Sequence, residues 1–471
     1  MVCIAPAVVF GYSAYPGEVS EGEAAMVVSL RSPVTRARFV RAAGSTLALA
    51  TLAACGPVGG GATGASATVQ AAIQAKRPVT LLIDNDWTQG DRLKVVQAWL
   101  ERANKVYAHI KTDLRETAES QEKTIAMFAA EQQGDLVQLD QHMVPVFGPK
   151  GALHDISSTL AALKFDVNSL YDIPNITHWE GKRHGLLIQL NSFNWLINVN
   201  AFQEAGLKEP AAGWTWDDLV DVARKLTRTP GAQGGRWGTN ISGEPYHFFW
   251  SANAPYLDPK GTRSLWDTPP VREVVQWLVD LVQRHRVAPT QREATEKRLS
   301  FNNGDYAINQ YAVPTPAITR AVDGRFQWDV VPAPKHPKTG KAVNTVTGHN
   351  YLITKKAVQR GVVTEAAQVL IELYDKQIQE LYISGLSVGS LPILKSVAAR
   401  AGNMEGMPRN FKIALDVIST GQNFEKVIGF LDFHRAWRPE FWKALDGEVS
   451  VEQAVINMTR ASDAALQQAA R

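Results

Sequence analysis

Strand-like and helix-like stretches alternate at the start of the folded chain. The apolar run at 79–83 is typical of a buried strand, and residues 109–114 and 134–139 are predicted to form a second and a third strand. Between them, residues 91–100 and 121–132 carry apolar side chains at three- and four-residue spacing, which predicts two amphipathic helices. This β-α-β-α-β order predicts a parallel, doubly wound sheet flanked by helices.

A polar step divides two further strand-like runs in the middle of the chain. Residues 185–190 and 193–199 are apolar and β-rich, and Asn191 and Ser192 separate them. Two strands in series with a polar break predict a chain that crosses from one compact body to another. At 471 residues, the chain is long enough to build two domains with separate cores.

Helical patterns dominate the chain after the crossing. Thr215 precedes an amphipathic run at 219–226, so its hydroxyl is predicted to cap a helix. A second strong helix is predicted at 269–282, where two prolines open the pattern. Trp214 and Trp216 flank the first of these helix starts and are predicted to be structural.

Composition excludes several classes of protein. The formal net charge of +3 is small for this length, so no nucleic-acid partner is expected. Cys3 and Cys55 are the only cysteines in the sequence, and both precede the predicted fold. A disulfide framework and thiolate metal sites are therefore not expected. The ten histidines form no H-E-x-x-H pattern, so no metal and no cofactor are predicted.

The first 55 residues are predicted to be a start extension followed by an export signal. Arginines precede an apolar run at 42–54, which is too short to span a bilayer as a mature helix. The run ends in Leu-Ala-Ala-Cys, which resembles a bacterial lipobox and implies acylation of Cys55. The alternative is an ordinary signal peptide in which Cys55 is incidental. Residues 56–76 are rich in small residues and are predicted to form a flexible tether.

Several ordered sequence blocks resemble those of extracellular solute-binding proteins of family 1, the maltose-binding type that serves ABC importers. The blocks are NAFQEAGL at 200–207, TWDDL at 215–219, FNNGDYAI at 301–308, WDVVPAP at 328–334 and TGHNYLI at 347–353. The resemblance implies a two-lobe periplasmic-binding-protein-like α/β fold. Each lobe is expected to hold a mostly parallel sheet flanked by helices, with hinge crossovers between the lobes.

The resemblance also implies how the chain divides between the lobes. The N-terminal lobe is expected to contain 77–189 and 348–386, and the C-terminal lobe 190–347 and 387–471. Crossings are expected near 189–192, 347–350 and 384–390. Polar, glycine-containing segments of this kind are plausible hinges.

A cleft that binds a carbohydrate needs aromatic faces for the sugar rings and polar side chains for the hydroxyl groups. Such residues follow the predicted strands, lie at the crossings, or occupy positions that the resemblance places against the ligand. The candidate ligand-binding residues are Trp87, Asp140, Gln141, Asn191, Asn194, Trp250, Tyr311, His349 and Asn350. Trp437 and Trp442 are predicted to serve packing instead.

The predicted function is capture of a carbohydrate by a membrane-tethered lipoprotein and its delivery to the transmembrane subunits of an ABC permease. The protein is expected to be a monomer, exported, anchored to the membrane through Cys55, and without catalytic activity. One alternative is an exported hydrolase, either a glycosidase or a serine esterase using Ser387 in the G-x-S-x-G pattern at 385–389. Another is a ligand-presenting sensor component with the same fold.

Overall fold

The computed structural model describes residues 61–117, 121–228, 235–241, 243–384, 386 and 388–469. The side chains at 61–66, 121, 311 and 312 lie outside this description. The signal peptide and Cys55, as well as Ser387, also fall outside the described residues.

The described residues form strands and helices in close alternation. The strands are β1 (Val79–Asn85), β2 (Ile110–Glu116), β3 (Leu136–Asp140), β4 (His178–Trp179), β5 (Lys182–Arg183), β6 (Gly185–Ser192), β7 (Asn194–Asn198), β8 (Trp237–Thr239), β9 (Tyr306–Ala312), β10 (Trp328–Val331) and β11 (Val346–Ile353). The helices of the first half are α1 (Gly61–Ala75), α2 (Gly90–Val106), α3 (Gln121–Ala129), α4 (Val144–Phe147), α5 (Ser157–Ala162), α6 (Pro174–Thr177), α7 (Val199–Glu204) and α8 (Trp216–Leu226).

The second half is mostly helical. Its helices are α9 (Tyr246–Ser251), α10 (Pro269–Gln283), α11 (Gln291–Glu296), α12 (Pro316–Val322), α13 (Lys355–Arg360), α14 (Val363–Ile371), α15 (Lys376–Glu380), α16 (Lys395–Ala401), α17 (Phe411–Thr420), α18 (Phe430–Leu445) and α19 (Val451–Ala469). The predicted cap of α8 is present, because Thr215 and Asp218 form a reciprocal capping box.

The first sheet has five strands in the order β2-β1-β3-β11-β6. Strand β1 pairs in parallel with β2 and β3, which confirms the predicted β-α-β-α-β start. Strand β11 runs antiparallel to both β3 and β6. The sheet is therefore mixed, because a late strand is inserted between two early ones in the opposite direction.

The second sheet has four strands in the order β10-β7-β9-β8. Strand β7 is antiparallel to both of its neighbours, and β8 is parallel to β9. In each sheet all strands but one run in the same direction, so the expectation of mostly parallel sheets is confirmed, with β11 and β7 as the reversed strands. Strands that arrive across a crossing enter each sheet in the opposite direction, and the sequence pattern carries no signal for that direction.

The chain passes from one sheet to the other within two residues. Strand β6 belongs to the first sheet and β7 to the second, and only Phe193 lies between them. Both strands are buried along their whole length, and their apolar runs at 186–188 and 195–197 are typical of strands covered on both faces. The α/β class with two lobes, inferred from the sequence, is confirmed by this arrangement.

Each sheet has its own main apolar core. The core beside the first sheet includes Leu81, Leu186 and Tyr351, and the core beside the second includes Ile197, Leu278 and Trp437. Buried residues between Val388 and Ile418 pack into the first of these cores, whereas Phe424 packs into the second. We propose that the last crossing lies near Gly421, and that the first lobe includes 388–418.

Residues 61–75 form a helix where the sequence predicted a flexible tether, so that part of the prediction was wrong. The segment is rich in alanine, which has the highest helix propensity of any residue. Val69 is buried, and the Gln70 side chain donates a hydrogen bond to the Ala162 carbonyl oxygen at 3.0 Å. No helix of the described residues is both long enough and apolar enough to cross a bilayer.

Candidate functional site

A row of polar side chains lies on one face of the first sheet, where β3 and β11 are paired. Asp140 and His349 are direct partners in the antiparallel register. Gln138 lies two residues before Asp140, so its side chain projects from the same face. The His349 Nε2 atom is 3.3 Å from Asp140 Oδ2, and His349 Nδ1 is 3.8 Å from Asp86 Oδ2. We call Asp86, Gln138, Asp140 and His349 the strand-end row.

The chain geometry at the ends of the strands brings the row together. Asp86 directly follows β1, which pairs in parallel with β3, so the carboxyl ends of both strands meet at one edge. The pairing of β11 with β6 shifts register between His349 and Asn350. A β-bulge of this kind re-aims the side chains beside it. His349 remains partly exposed, whereas Asn350 is fully buried.

Trp87 lies at the same edge of the sheet, next to Asp86. Its ring is almost completely buried, and the Arg92 guanidinium carbon is 5.4 Å from the ring centroid. The indole N–H of Trp87 has no hydrogen-bond acceptor among the described residues. The side-chain N–H₂ group of Gln138 is also buried without an acceptor in that part of the chain.

The turn after β3 makes contact with the second lobe. The Gln141 Oε1 atom accepts hydrogen bonds from the Gly348 backbone at 3.3 Å and from the Asn423 side chain at 2.7 Å. The adjacent His142 ring stacks on Phe430 with centroids 4.8 Å apart. Gln141 is buried by these contacts, so its amide serves to join the two lobes.

The segment 421–430 provides further contacts from the second lobe. The Lys426 ammonium group donates to the carbonyl oxygens of Pro174 and His178. Burial lowers the pKa of Lys426. Outside this segment, Arg435 of α18 and Glu122 of α3 form an exposed ion pair at 2.7 Å. The two lobes are thus in direct contact, and 421–430 is the inter-lobe segment.

The candidate amides at the crossings are buried among backbone groups. The Asn194 side chain donates to the Ser192 carbonyl oxygen at 2.7 Å, and the Asn350 side chain donates to that of Ile176 at 2.9 Å. The Asn191 amide contacts the Thr347 hydroxyl at 3.4 Å. These hydrogen bonds fix the crossing strands in place, a role that requires no ligand.

Trp250 lies in α9 within a cluster of aromatic rings. Its ring is near those of Tyr246 and Phe424, at centroid distances of 6.0 Å in both cases. The indole N–H donates to Glu425 Oε1 at 3.3 Å. Only 8% of Trp250 is exposed, because the inter-lobe segment covers it. We call Tyr246, Trp250, Tyr256, Phe424 and Trp437 the aromatic cluster.

Glu425 places a buried carboxyl group beside the aromatic cluster. It accepts hydrogen bonds from Trp250 and from the Tyr256 hydroxyl. Burial raises the pKa of Glu425 to about 7, and the hydrogen bond from Trp250 only partly offsets that rise. Tyr311, the remaining candidate, lies in β9, and its side chain is outside the described residues.

The tryptophans assigned to packing behave as predicted. Trp214 and Trp216 are buried at the start of α8, and the Trp214 indole N–H donates to the Pro332 carbonyl oxygen at 2.7 Å. Trp437 is fully buried and donates to the Tyr246 hydroxyl at 3.0 Å, while Trp442 packs partly buried against the same core.

Several residues in these contacts were not among the sequence candidates. Asp86 and His142 directly adjoin the candidates Trp87 and Gln141, so a polar residue at a strand end was the signal available for both. Asn423 and Glu425 lie in a segment without a motif, and nothing local in the sequence indicates their partners.

The described part of the chain gives no support for a metal site. No group of three or more His, Cys, Asp or Glu side chains there is arranged to hold a metal ion. A depression of about 290 Å³ lies elsewhere in the second lobe, between residues such as Asn240, Tyr306 and Trp442. It shares no residue with the strand-end row.

Solved structures resemble this fold over most of the chain. An ABC substrate-binding protein from Listeria monocytogenes in complex with cycloalternan is 19% identical, with a TM-score of 0.67, over 83% of this chain and 98% of that one. A cyclic alpha-maltosyl-1,6-maltose binding protein from Arthrobacter globiformis is 20% identical, with a TM-score of 0.66, over 83% and 100%.

A third similar structure carries a different kind of ligand. UgpB from Mycobacterium tuberculosis, in complex with glycerophosphocholine, is 16% identical, with a TM-score of 0.66, over 83% of this chain and 100% of that one. At these identities, the likeness establishes the shared two-lobe fold.

The model of one protein family matches residues 95–408, which is well over half of the chain. The match runs from α2 to the loop before α17 and so includes most of both sheets and the crossing between them. The chain belongs to the bacterial extracellular solute-binding protein family.

Proposed function

We propose that this protein captures a carbohydrate between its two lobes and delivers it to the transmembrane subunits of an ABC permease. The strand-end row carries this proposal, because it presents carboxylate and imidazole groups at one edge of the first sheet. In open α/β sheets, ligands bind at the carboxyl ends of strands. One similar structure is in complex with cycloalternan and another is of a cyclic alpha-maltosyl-1,6-maltose binding protein, which supports a carbohydrate as the ligand.

The first lobe supplies Asp140 and His349 to the proposed site, with Trp87 beside them. About 39% of the Asp140 side chain is exposed, compared with 18% of His349, so both can reach a ligand. Each hydrogen bond to a sugar hydroxyl would contribute roughly 0.5–1.5 kcal/mol net. Closure of the lobes would exclude water and strengthen these contacts.

Delivery to a permease would depend on closure of the two lobes around the ligand. A ligand held by groups from both lobes stabilises the closed state relative to the open one, and a permease that recognises the closed state takes up only loaded protein. The protein would act as a binding component without a reaction of its own, as a monomer. The family match and the sugar-bound neighbours support this reading over the hydrolase alternative.

Export and membrane attachment are part of the proposal. Membership of an extracellular family supports export, and the lipobox-like sequence at 52–55 supports acylation of Cys55. In a bacterial host, the full chain is expected in the membrane fraction, and Cys55→Ser is expected to shift it to the soluble exported fraction. Retention of Cys55→Ser in the membrane fraction would contradict the lipid anchor.

A thermal-shift screen tests ligand capture. The probes are maltotriose, mannotriose, trehalose and cyclic glucose oligosaccharides, and at least one is expected to raise the melting temperature in a saturable way. At a ligand concentration of 100 Kd, the stabilisation is about 2.7 kcal/mol. Asp140→Ala is expected to reduce the shift, whereas Asp416→Asn, which changes an exposed carboxylate of α17, keeps it. A screen without any saturable shift would contradict carbohydrate capture.

A further inference from the structure

The strand-end row contains two carboxylates around a single imidazole. Asp86 Oδ2 lies 3.8 Å from one ring nitrogen of His349, and Asp140 Oδ2 lies 3.3 Å from the other. The two acidic groups come from the ends of adjacent parallel strands, so the fold itself holds them on either side of the ring. This edge of the sheet is therefore rich in hydrogen-bond acceptors and in negative charge.

Two buried donors at the same edge have no acceptor among the described residues. They are the Trp87 indole N–H and the Gln138 side-chain N–H₂ group, and both residues are 3% exposed. The Gln138 amide lies next to Asp86, because its Oε1 atom is 3.4 Å from the Asp86 backbone nitrogen and accepts its hydrogen bond. Buried polar groups of proteins nearly always have partners. These two donors therefore indicate a ligand that accepts hydrogen bonds.

Two basic side chains in this part of the first lobe have partners within the fold. Arg92 donates from Nε to the Val388 carbonyl oxygen at 3.1 Å and lies over the Trp87 ring. Arg115 forms an ion pair with Asp84. A phosphorylated ligand needs cationic or abundant N–H groups to replace its hydration. Here it would meet two carboxylates, against which Arg92 supplies one positive charge, so the balance of charge at this edge disfavours an anion.

A hydroxyl group suits both the carboxylate acceptors and the buried N–H donors at this edge, because it donates one hydrogen bond and accepts others. It can donate to the carboxylates and accept from the indole and the amide. We propose that Asp86, together with Asp140, is a specificity-determining residue that selects neutral polyhydroxylated ligands and disfavours phosphorylated or carboxylated ones. This inference rests on the proposed function and adds the charge class of the ligand.

The test compares each neutral sugar with its charged counterpart. The probes are trehalose with trehalose 6-phosphate, and maltotriose with its terminally oxidised acid, titrated by calorimetry against wild type, Asp86→Asn, Asp140→Asn and Asp416→Asn. Wild type is expected to bind a neutral member at least about tenfold more tightly than its anionic partner, as like charges in a water-poor cleft predict. The first two variants are expected to reduce that ratio by about tenfold through better binding of the anion.

The Asp416→Asn control changes an exposed carboxylate in α17 and is expected to leave the ratio unchanged. Both test variants replace a carboxylate by an amide of the same shape, so each checks the other if one is poorly folded. Unchanged ratios in both well-folded variants, or tighter binding of an anionic probe by wild type, would overturn the charge selection while leaving sugar capture standing. If no probe binds to wild type, the proposed function itself fails, and the inference fails with it.

Discussion

The two lobes use their polar and aromatic side chains in opposite ways. In the first lobe, the strand-end row places charged groups at an accessible edge, with Asp140 39% exposed. In the second lobe, the aromatic cluster is packed into the core, and Trp250 is only 8% exposed. The sequence shows candidates of both kinds. The structure leaves the candidates Asp140 and His349 partly accessible at a sheet edge and covers the second-lobe candidate Trp250.

The difference teaches that residue type alone does not identify a ligand-facing ring. Trp250 shares its surroundings with Tyr246, Phe424 and Trp437, and aromatic rings in such contacts contribute packing as well as buried area. Glu425 also accepts the hydrogen bond of the indole N–H, which is the one polar group of the Trp250 side chain. A sugar would reach this ring only if the inter-lobe segment moved away.

The largest expected effect lies in the aromatic cluster. Trp437→Ala is expected to lower the free energy of unfolding by about 4 kcal/mol, because the ring is fully buried and its loss leaves a cavity. Urea denaturation measures the change. The matched control, Val358→Ala, alters a side chain that is 46% exposed on α13 and should stay within about 0.5 kcal/mol of wild type. A comparable loss in both variants would mean that Trp437 is not part of a packed core.

A pH-dependent effect is expected at Glu425. Its pKa in the folded state is about 7, above the ordinary value of 4.5, so the folded protein keeps a proton that the unfolded chain releases between these values. The stability that Glu425 contributes is therefore fully present below pH 4.5 and is lost as the pH rises through 7. Glu425→Gln has no such loss.

Relative to wild type, Glu425→Gln is expected to gain about 2–3 kcal/mol of unfolding free energy between about pH 4 and pH 8. Measuring both proteins at each pH removes the contribution of other buried groups, such as His247, whose pKa burial lowers to about 3. Urea denaturation across this pH range gives the difference. A difference that does not change with pH would show that Glu425 is not buried as described.

The smallest effect is expected at the exposed edge between the lobes. Arg435→Ala removes the ion pair with Glu122, and both side chains are well exposed. The expected loss is less than about 0.5 kcal/mol, and it should disappear in high salt. Thermal unfolding at two salt concentrations checks this. A larger, salt-independent loss would indicate that α3 and α18 are more tightly packed than the structure shows.

The parts of the fold that depend on local sequence patterns were predictable. The alternation of strand-like and helix-like segments predicted β1, β2 and β3, and the polar break at Asn191-Ser192 marked the step from β6 to β7. Strand direction in β7 and β11 was not predictable, because it depends on how the chain returns after long excursions. Local composition also suggested a tether at 56–76, whereas alanine propensity and the burial of Val69 favour the helix at 61–75.

The residues of the candidate site also divide into those that local sequence predicts and those that depend on distant contacts. Strand-end positions such as Asp140 could be inferred, because a parallel sheet brings its carboxyl ends to one edge. The contact between His349 and Asp86 joins residues that are far apart in the sequence and depends on the register of β11. Likewise, the cover over Trp250 comes from the distant segment 421–430, and no local signal near α9 indicates it.

The central claim is that the strand-end row of the first lobe, and not the aromatic cluster, holds the ligand. Calorimetric titration of a sugar from the screen into His349→Ala and Trp250→Phe tests it directly. His349→Ala is expected to weaken binding by about tenfold, the loss of one good hydrogen bond, whereas Trp250→Phe should bind within about twofold of wild type. Unchanged affinity in a well-folded His349→Ala, together with a large loss in Trp250→Phe, would contradict the account.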